Sequence, residues 1–135
     1  MSGGPCDACA VLHHVSIEVR PEDVPRATQL FELLGFERVP APEPIAQFVS
    51  WIEHDGTQIH FIHTAEPTTP HLGHPAVVAA DFDDAITRLR EAGFEVEEAR
   101  ELWGEPRAFA LLPGGGRVEL IAAPPPPEGE RRSAG

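Results

Sequence analysis

Basic residues are scarce in this chain. Its 10 Lys and Arg stand against 22 Asp and Glu, for a formal net charge of −12. That balance opposes phosphate backbones and anionic membranes, which need clustered cations. The adjacent basic pair Arg131-Arg132 falls in a terminal stretch, so no nucleic-acid or membrane partner is expected. No apolar run approaches the roughly 20 residues that span a bilayer. The opening Met1-Ser2-Gly3-Gly4-Pro5 lacks the basic and apolar regions of a secretory signal, and the expected location is the cytoplasm. Cysteine is limited to Cys6 and Cys9, and thiols in that compartment stay reduced. A lone Cys-x-x-Cys without a second pair is weak ground for zinc or redox chemistry.

What is present suits one globular domain. A chain of 135 residues with 41% hydrophobic side chains has enough apolar surface for a core, since a domain of this size buries roughly two-thirds of its unfolded surface. Residues 1–10 are small and polar and read as a flexible tail. From Pro124 a proline run leads into charged residues, so 124–135 reads as a Pro-rich disordered tail. The expected structured body is 11–123.

Inside the body one plan occurs twice, in units 12–63 and 72–123. Each unit opens with a strand, Leu12 to Val19 and Gly73 to Ala80. Acidic residues suited to helix capping follow, Glu22-Asp23 and Asp81 to Asp84. Helical spacing then places Ala27, Leu30, Phe31 and Leu34 on one stripe and Ala85, Ile86, Leu89 and Ala92 on another. Both helices should end at Gly-Phe, Gly35-Phe36 and Gly93-Phe94. Three strands complete each unit, near 37–40, 46–53 and 57–63, then near 95–99, 107–112 and 116–122. Asp55-Gly56 and Gly114-Gly115-Gly116 make the last hairpin turns. The pattern predicts an α+β fold of two tandem βαβββ units.

Strand residues alternate faces. Val15, Ile17 and Val19 should meet the helix, leaving His14, Ser16 and Glu18 on the other side. By the same rule Ile59 and Phe61 point inward while His60 points away, and Val118 and Leu120 point inward while Glu119 points away. His14 and His74 occupy equivalent places, as do His60 and Glu119, at offsets of about 60 residues. If a pseudo-two-fold relates the units, these four side chains can converge on one divalent metal. Imidazole and carboxylate suit Zn, Fe, Mn, Ni or Co, and a set without thiolate fits a catalytic site with open positions. His13 and His63 fall on the opposite strand face and His71 lies between the units, so none of the three is expected as a ligand. Trp51 and Trp103 are candidate pocket walls. Arg107 and Arg117 are candidate anchors for an anionic substrate group.

The chain resembles the vicinal oxygen chelate superfamily, which includes glyoxalase I, methylmalonyl-CoA epimerase, extradiol dioxygenases and bleomycin resistance proteins. The resemblance covers about 11–123. It rests on Leu12-His13-His14-Val15, Leu34-Gly35-Phe36, Gly73-His74 and Gly116-Arg117-Val118-Glu119-Leu120. It implies a curved mixed-sheet cup with helices outside, and metal ligands at His14, His60, His74 and Glu119; the match is looser at His60, where relatives often carry Glu, Gln or a non-ligand. It also implies Lewis-acid chemistry on neighbouring substrate oxygens, with Glu119 as proton shuttle and Glu18 as a second candidate. Members are commonly homodimers. The implied function is isomerase- or lyase-type chemistry on a small molecule. The alternatives are an extradiol-type iron dioxygenase using His14, His74 and Glu119, and a metal-free binding protein of the bleomycin-resistance type.

Overall fold

The computed structural model describes residues 8–127. The first unit contains β1 (His14–Val19), α1 (Val24–Glu32), β2 (Glu37–Val39), β3 (Val49–His54) and β4 (Thr57–His63). The second contains β5 (Ala76–Val78), α2 (Phe82–Glu91), β6 (Val96–Ala99), β7 (Arg107–Leu111) and β8 (Arg117–Ile121). Each unit forms an open four-stranded mixed sheet, in the orders β1-β4-β3-β2 and β5-β8-β7-β6. The first and last strands of each unit run parallel and the other pairs antiparallel. The duplication read from the sequence is therefore a duplication of topology.

Local chemistry explains the turns. Asp55 and Gly56 both take positive φ, 49° and 80°, as a two-residue hairpin turn of the favoured hand requires. Gly35 and Gly93, at φ 99° and 88°, end the helices. In each copy the next phenylalanine closes the same loop. Phe36 N donates to Phe31 O and Phe94 N to Leu89 O, both at 3.0 Å, which satisfies a terminal helix carbonyl. Both phenylalanines then bury against the core.

Two expectations are corrected here. The acidic residues do not cap the helices: neither Asp23 nor Asp81 makes a side-chain cap hydrogen bond. The first helix is instead entered from a 3-10 turn, Pro21–Asp23, that leaves Asp23 already helical. The opening strand of the second unit is also shorter than 73–80. Pro75 has no N–H to give a ladder, although its carbonyl accepts from Glu119 N at 2.9 Å.

Val19, Ile59, Phe61, Val118 and Leu120 share one buried cluster with Leu30, Phe31, Ile86 and Leu89. The inward faces of both sheets and the stripes of both helices thus make one core. Arg26 links the units, its Nη2 donating to Ala92 O at 2.8 Å and its guanidinium lying 3.7 Å from the Phe94 ring centroid. Among the described residues no helix is long and apolar enough to cross a membrane. Most of the expected tails, 1–10 and 124–135, and Cys6 with them, lies outside the described residues. Cys9 is disulfide-bonded, against the expectation of reduced thiols.

Candidate metal centre

Strand register sets the site. In the first sheet Ser16, two residues after His14, pairs with His60. In the second, Ala76, two residues after His74, pairs with Glu119. The two units therefore present the same pair of positions in the same register, once as His and His and once as His and Glu. An aromatic residue of the neighbouring strand stands opposite each last-strand member: Trp51 opposite His60 and Phe109 opposite Glu119.

In the first unit the His60 ring is sandwiched. Trp51 stacks on it at 4.0 Å between centroids, and His14 lies against it at 3.8 Å and 18°. Burial, then the nearby His14 and His13, push the His60 pKa below its ordinary value, because a charged ring there loses hydration and meets like charge. His13 joins this group, its Nδ1 lying 2.9 Å from His14 Nδ1. His13, His14 and His60 are the group of three among the described residues whose ligating atoms lie within 4.8 Å of one another. Alternation had set His13 aside; its carbonyl accepts from Gln58 N at 2.9 Å, yet it precedes the first residue of β1 and its side chain joins the same group. The adjacent His-His at a strand entrance was the signal available.

In the second unit His74 Nε2 lies 3.0 Å from Glu119 Oε1, and His74 Nδ1 lies 2.8 Å from the Leu72 carbonyl. Arg107 Nε donates to the other Glu119 oxygen at 2.8 Å, with both side chains little exposed, 13% and 11%. Burial opposes ionisation of Glu119. The hydrogen bonds and charges of Arg107 and His74 outweigh it and hold the carboxyl below its ordinary range. The buried carboxylate is thus kept charged, with one oxygen anchored and the other facing an imidazole nitrogen.

These donors fit a metal. The 3.0 Å between His74 Nε2 and Glu119 Oε1 is that of a hydrogen bond. Two ligands of a tetrahedral ion, each ~2.1 Å from it, stand about 3.4 Å apart, so the pair would have to open slightly to admit one. A carboxylate oxygen facing a ring nitrogen needs either a proton or a cation between them. The structure brings His14 to His60 and His74 to Glu119. Among the described residues no group of three within 4.8 Å combines the two pairs.

The remaining candidates take separate places. Arg107 is committed to Glu119 and to the Arg100 carbonyl. Arg117 lies 4.0 Å over the Phe109 ring. Trp103 donates from Nε1 to Ala123 O at 3.0 Å. Glu18 accepts from Thr68 N at 2.9 Å, fixing the connection between the units. Ser16, Glu18, His74 and Arg117 line a cavity of about 450 Å³ between β1 and the β7–β8 hairpin. It opens on His74 and not on His14 or His60. His63, set aside from the sequence, bonds Ser50 at 2.8 Å, and His71 is exposed.

No protein-family model matches the chain, and no curated protein matches it in sequence. Solved structures do match. A Bacillus anthracis protein named as a glyoxalase family member superposes with a TM-score of 0.75 at 21% identity, over 87% of this chain and 98% of that one. A glyoxalase family protein from Enterococcus faecalis gives 0.63 at 25% identity, over 82% and 96%. The oxidase ChaP-H2 gives 0.63 at 19% identity, over 86% and 95%.

Proposed function

The chain has the fold of the vicinal oxygen chelate superfamily, and on that fold we propose that it is a divalent-metal-dependent, glyoxalase-like enzyme. It would carry out isomerase- or lyase-type chemistry on a small oxygen-bearing substrate. The observation that carries the reading is the His74–Glu119 pair, an imidazole nitrogen facing a buried carboxylate oxygen that Arg107 keeps ionised, the donor types that such an ion takes. His14, His60, His74 and Glu119 would hold one ion of Zn, Fe, Mn, Ni or Co. When bound, that ion supplies Lewis acidity to adjacent substrate oxygens. Arg107 keeps Glu119 ionised and turned, which suits it as an anionic ligand. Its lowered pKa makes it a weak base, so proton uptake by Glu119 would need the Arg107 contact to loosen. Glu18 is the second candidate base, from the wall of the cavity.

The two ligand pairs belong to different units, so the proposal includes a homodimer in which two copies bring unlike pairs together. Mixing variants tests this. A His60→Ala chain and a Glu119→Ala chain should each bind metal poorly. Their mixed dimer should recover binding, because one of its sites keeps both residues. No recovery in a mixture shown to exchange subunits would put the site within one chain. Catalysis is tested by solvent-deuterium incorporation into small 2-hydroxy ketones and 2-oxoaldehyde adducts. Equal rates with metal-replete and metal-stripped protein would sink the enzymatic reading.

A second reading, a ferrous oxygenase, draws on His14, His74 and Glu119 as two imidazoles and one carboxylate and on the likeness to an oxidase. Oxygen uptake with catechols and ferrous iron, absent with zinc, would favour it.

A further inference from the structure

The polar face of the β3–β4 hairpin holds a hydrogen-bonded chain that sequence reasoning did not single out. Glu53 and Gln58 are opposite one another across the hairpin, and Trp51 and His60 form the next pair on the same face. Gln58 Nε2 donates to Glu53 Oε1 at 2.8 Å. Gln58 Oε1 lies 2.6 Å from His60 Nε2.

The chain has one consistent direction. A carboxylate only accepts, so the Gln58 amide must turn its NH2 toward Glu53. Its oxygen then faces His60, and an amide oxygen only accepts. His60 must therefore carry its proton on Nε2. Among the described residues nothing hydrogen-bonds His60 Nδ1, whose lone pair is left free. Trp51 and His14 stack on the two ring faces, which opposes rotation of the ring about Cβ–Cγ and so keeps Nε2 at the Gln58 oxygen.

We propose that Glu53 and Gln58 are positioning residues that fix His60 as its Nε2–H tautomer, so that Nδ1 is the atom offered to a metal. The inference rests on the reading of His60 as a ligand. Outer partners of this kind set which nitrogen ligates and how the ring is aimed, and their loss costs roughly 10–100-fold in metal affinity.

The decisive measurement needs no metal. Long-range proton–nitrogen NMR of the 15N-histidine-labelled full chain, at a pH where His60 is neutral, reads its tautomer. The expected result is a pyrrole-type Nε2 and a pyridine-type Nδ1. Gln58→Met removes the acceptor and should average the two nitrogen shifts. The swap Glu53→Gln with Gln58→Glu restores an acceptor facing His60 and should restore the tautomer, which separates positioning from general damage to the hairpin. Cadmium-113 then reports the ligating atom through its coupling to nitrogen. Coupling is expected at Nδ1, with affinity roughly tenfold or more weaker in Gln58→Met and recovered in the swap. A wild-type Nδ1–H tautomer, an unchanged tautomer in Gln58→Met, or cadmium coupling to Nε2 would overturn the proposal. Cadmium ignoring the wild-type chain altogether would instead overturn the metal reading, while the metal-free tautomer result still decides the relay.

Discussion

The Trp51 indole lies flat on the His60 imidazole, ring centroids 4.0 Å apart and planes 3° from parallel. Trp103 is elsewhere, bonded to the Ala123 carbonyl. The chain has 2 tryptophans, so their responses can be separated. Zinc binding at His60 should change the Trp51 emission. Trp51→Phe should lose most of the zinc-dependent fluorescence change and Trp103→Phe should keep it. The reverse pattern would place the cation away from His60.

Arg107 and Glu119 form a little-exposed ion pair. Removing one partner leaves a desolvated charge whose cost exceeds the worth of the bond itself. Arg107→Leu should destabilise the metal-free protein by about 2–3 kcal/mol in urea unfolding. Arg107→Lys should rescue it only in part, because an ammonium cannot reproduce the guanidinium's planar fork, which here also reaches the Arg100 carbonyl. A loss within experimental error for Arg107→Leu would mean that water already screens the pair.

Acid should destabilise the metal-free protein in two stages. The His60 pKa is lowered from its ordinary 6.5. As pH falls below that value the unfolded chain takes up a proton that the folded chain refuses, so stability drops until the lowered folded pKa is passed. The Glu119 pKa is lowered from its ordinary 4.5. Its contribution is fully present above that value and is lost as pH falls through the folded one. Melting temperature measured against pH should decline from about 6.5 downward. His60→Gln should flatten the upper stage and Glu119→Gln the lower. A profile the two variants leave unaltered would contradict the burial and pairing described for these groups.

Gly35 and Gly93 do the same backbone work in the two units, but their surroundings differ. A Cβ on Gly35 would meet only the His54 ring, at 3.7 Å, whereas one on Gly93 would lie 3.2 Å from Arg26 Nη2. Either alanine substitution forces a side chain into the left-handed region, at a cost of about 1–2 kcal/mol. Gly93→Ala should cost more, because it also presses on the Arg26 bridge to Ala92 and Phe94. Equal losses in thermal unfolding would show that Arg26 moves aside freely.

The amino-acid sequence alone determined the repeat, the order of elements and the faces of the strands. These follow from short-range rules: alternation along a strand, a 3.6-residue stripe on a helix, and residues that tolerate positive φ at Asp55-Gly56, Gly35 and Gly93. It also nominated His14, His60, His74 and Glu119 as candidate ligands, because a duplicated register carries equivalent positions with it. The missed acidic caps and the late start of β5 are local competitions, a 3-10 turn at Pro21 and a missing N–H at Pro75. Tertiary structure decided the rest. It brought His13 beside His14, stacked Trp51 on His60, gave Arg107 to Glu119, and chained Glu53 through Gln58 to an imidazole nitrogen. It also separated the four candidate ligands into two pairs. Such relations depend on side-chain direction and on how one unit lies against the other, and no periodicity in a linear chain encodes either.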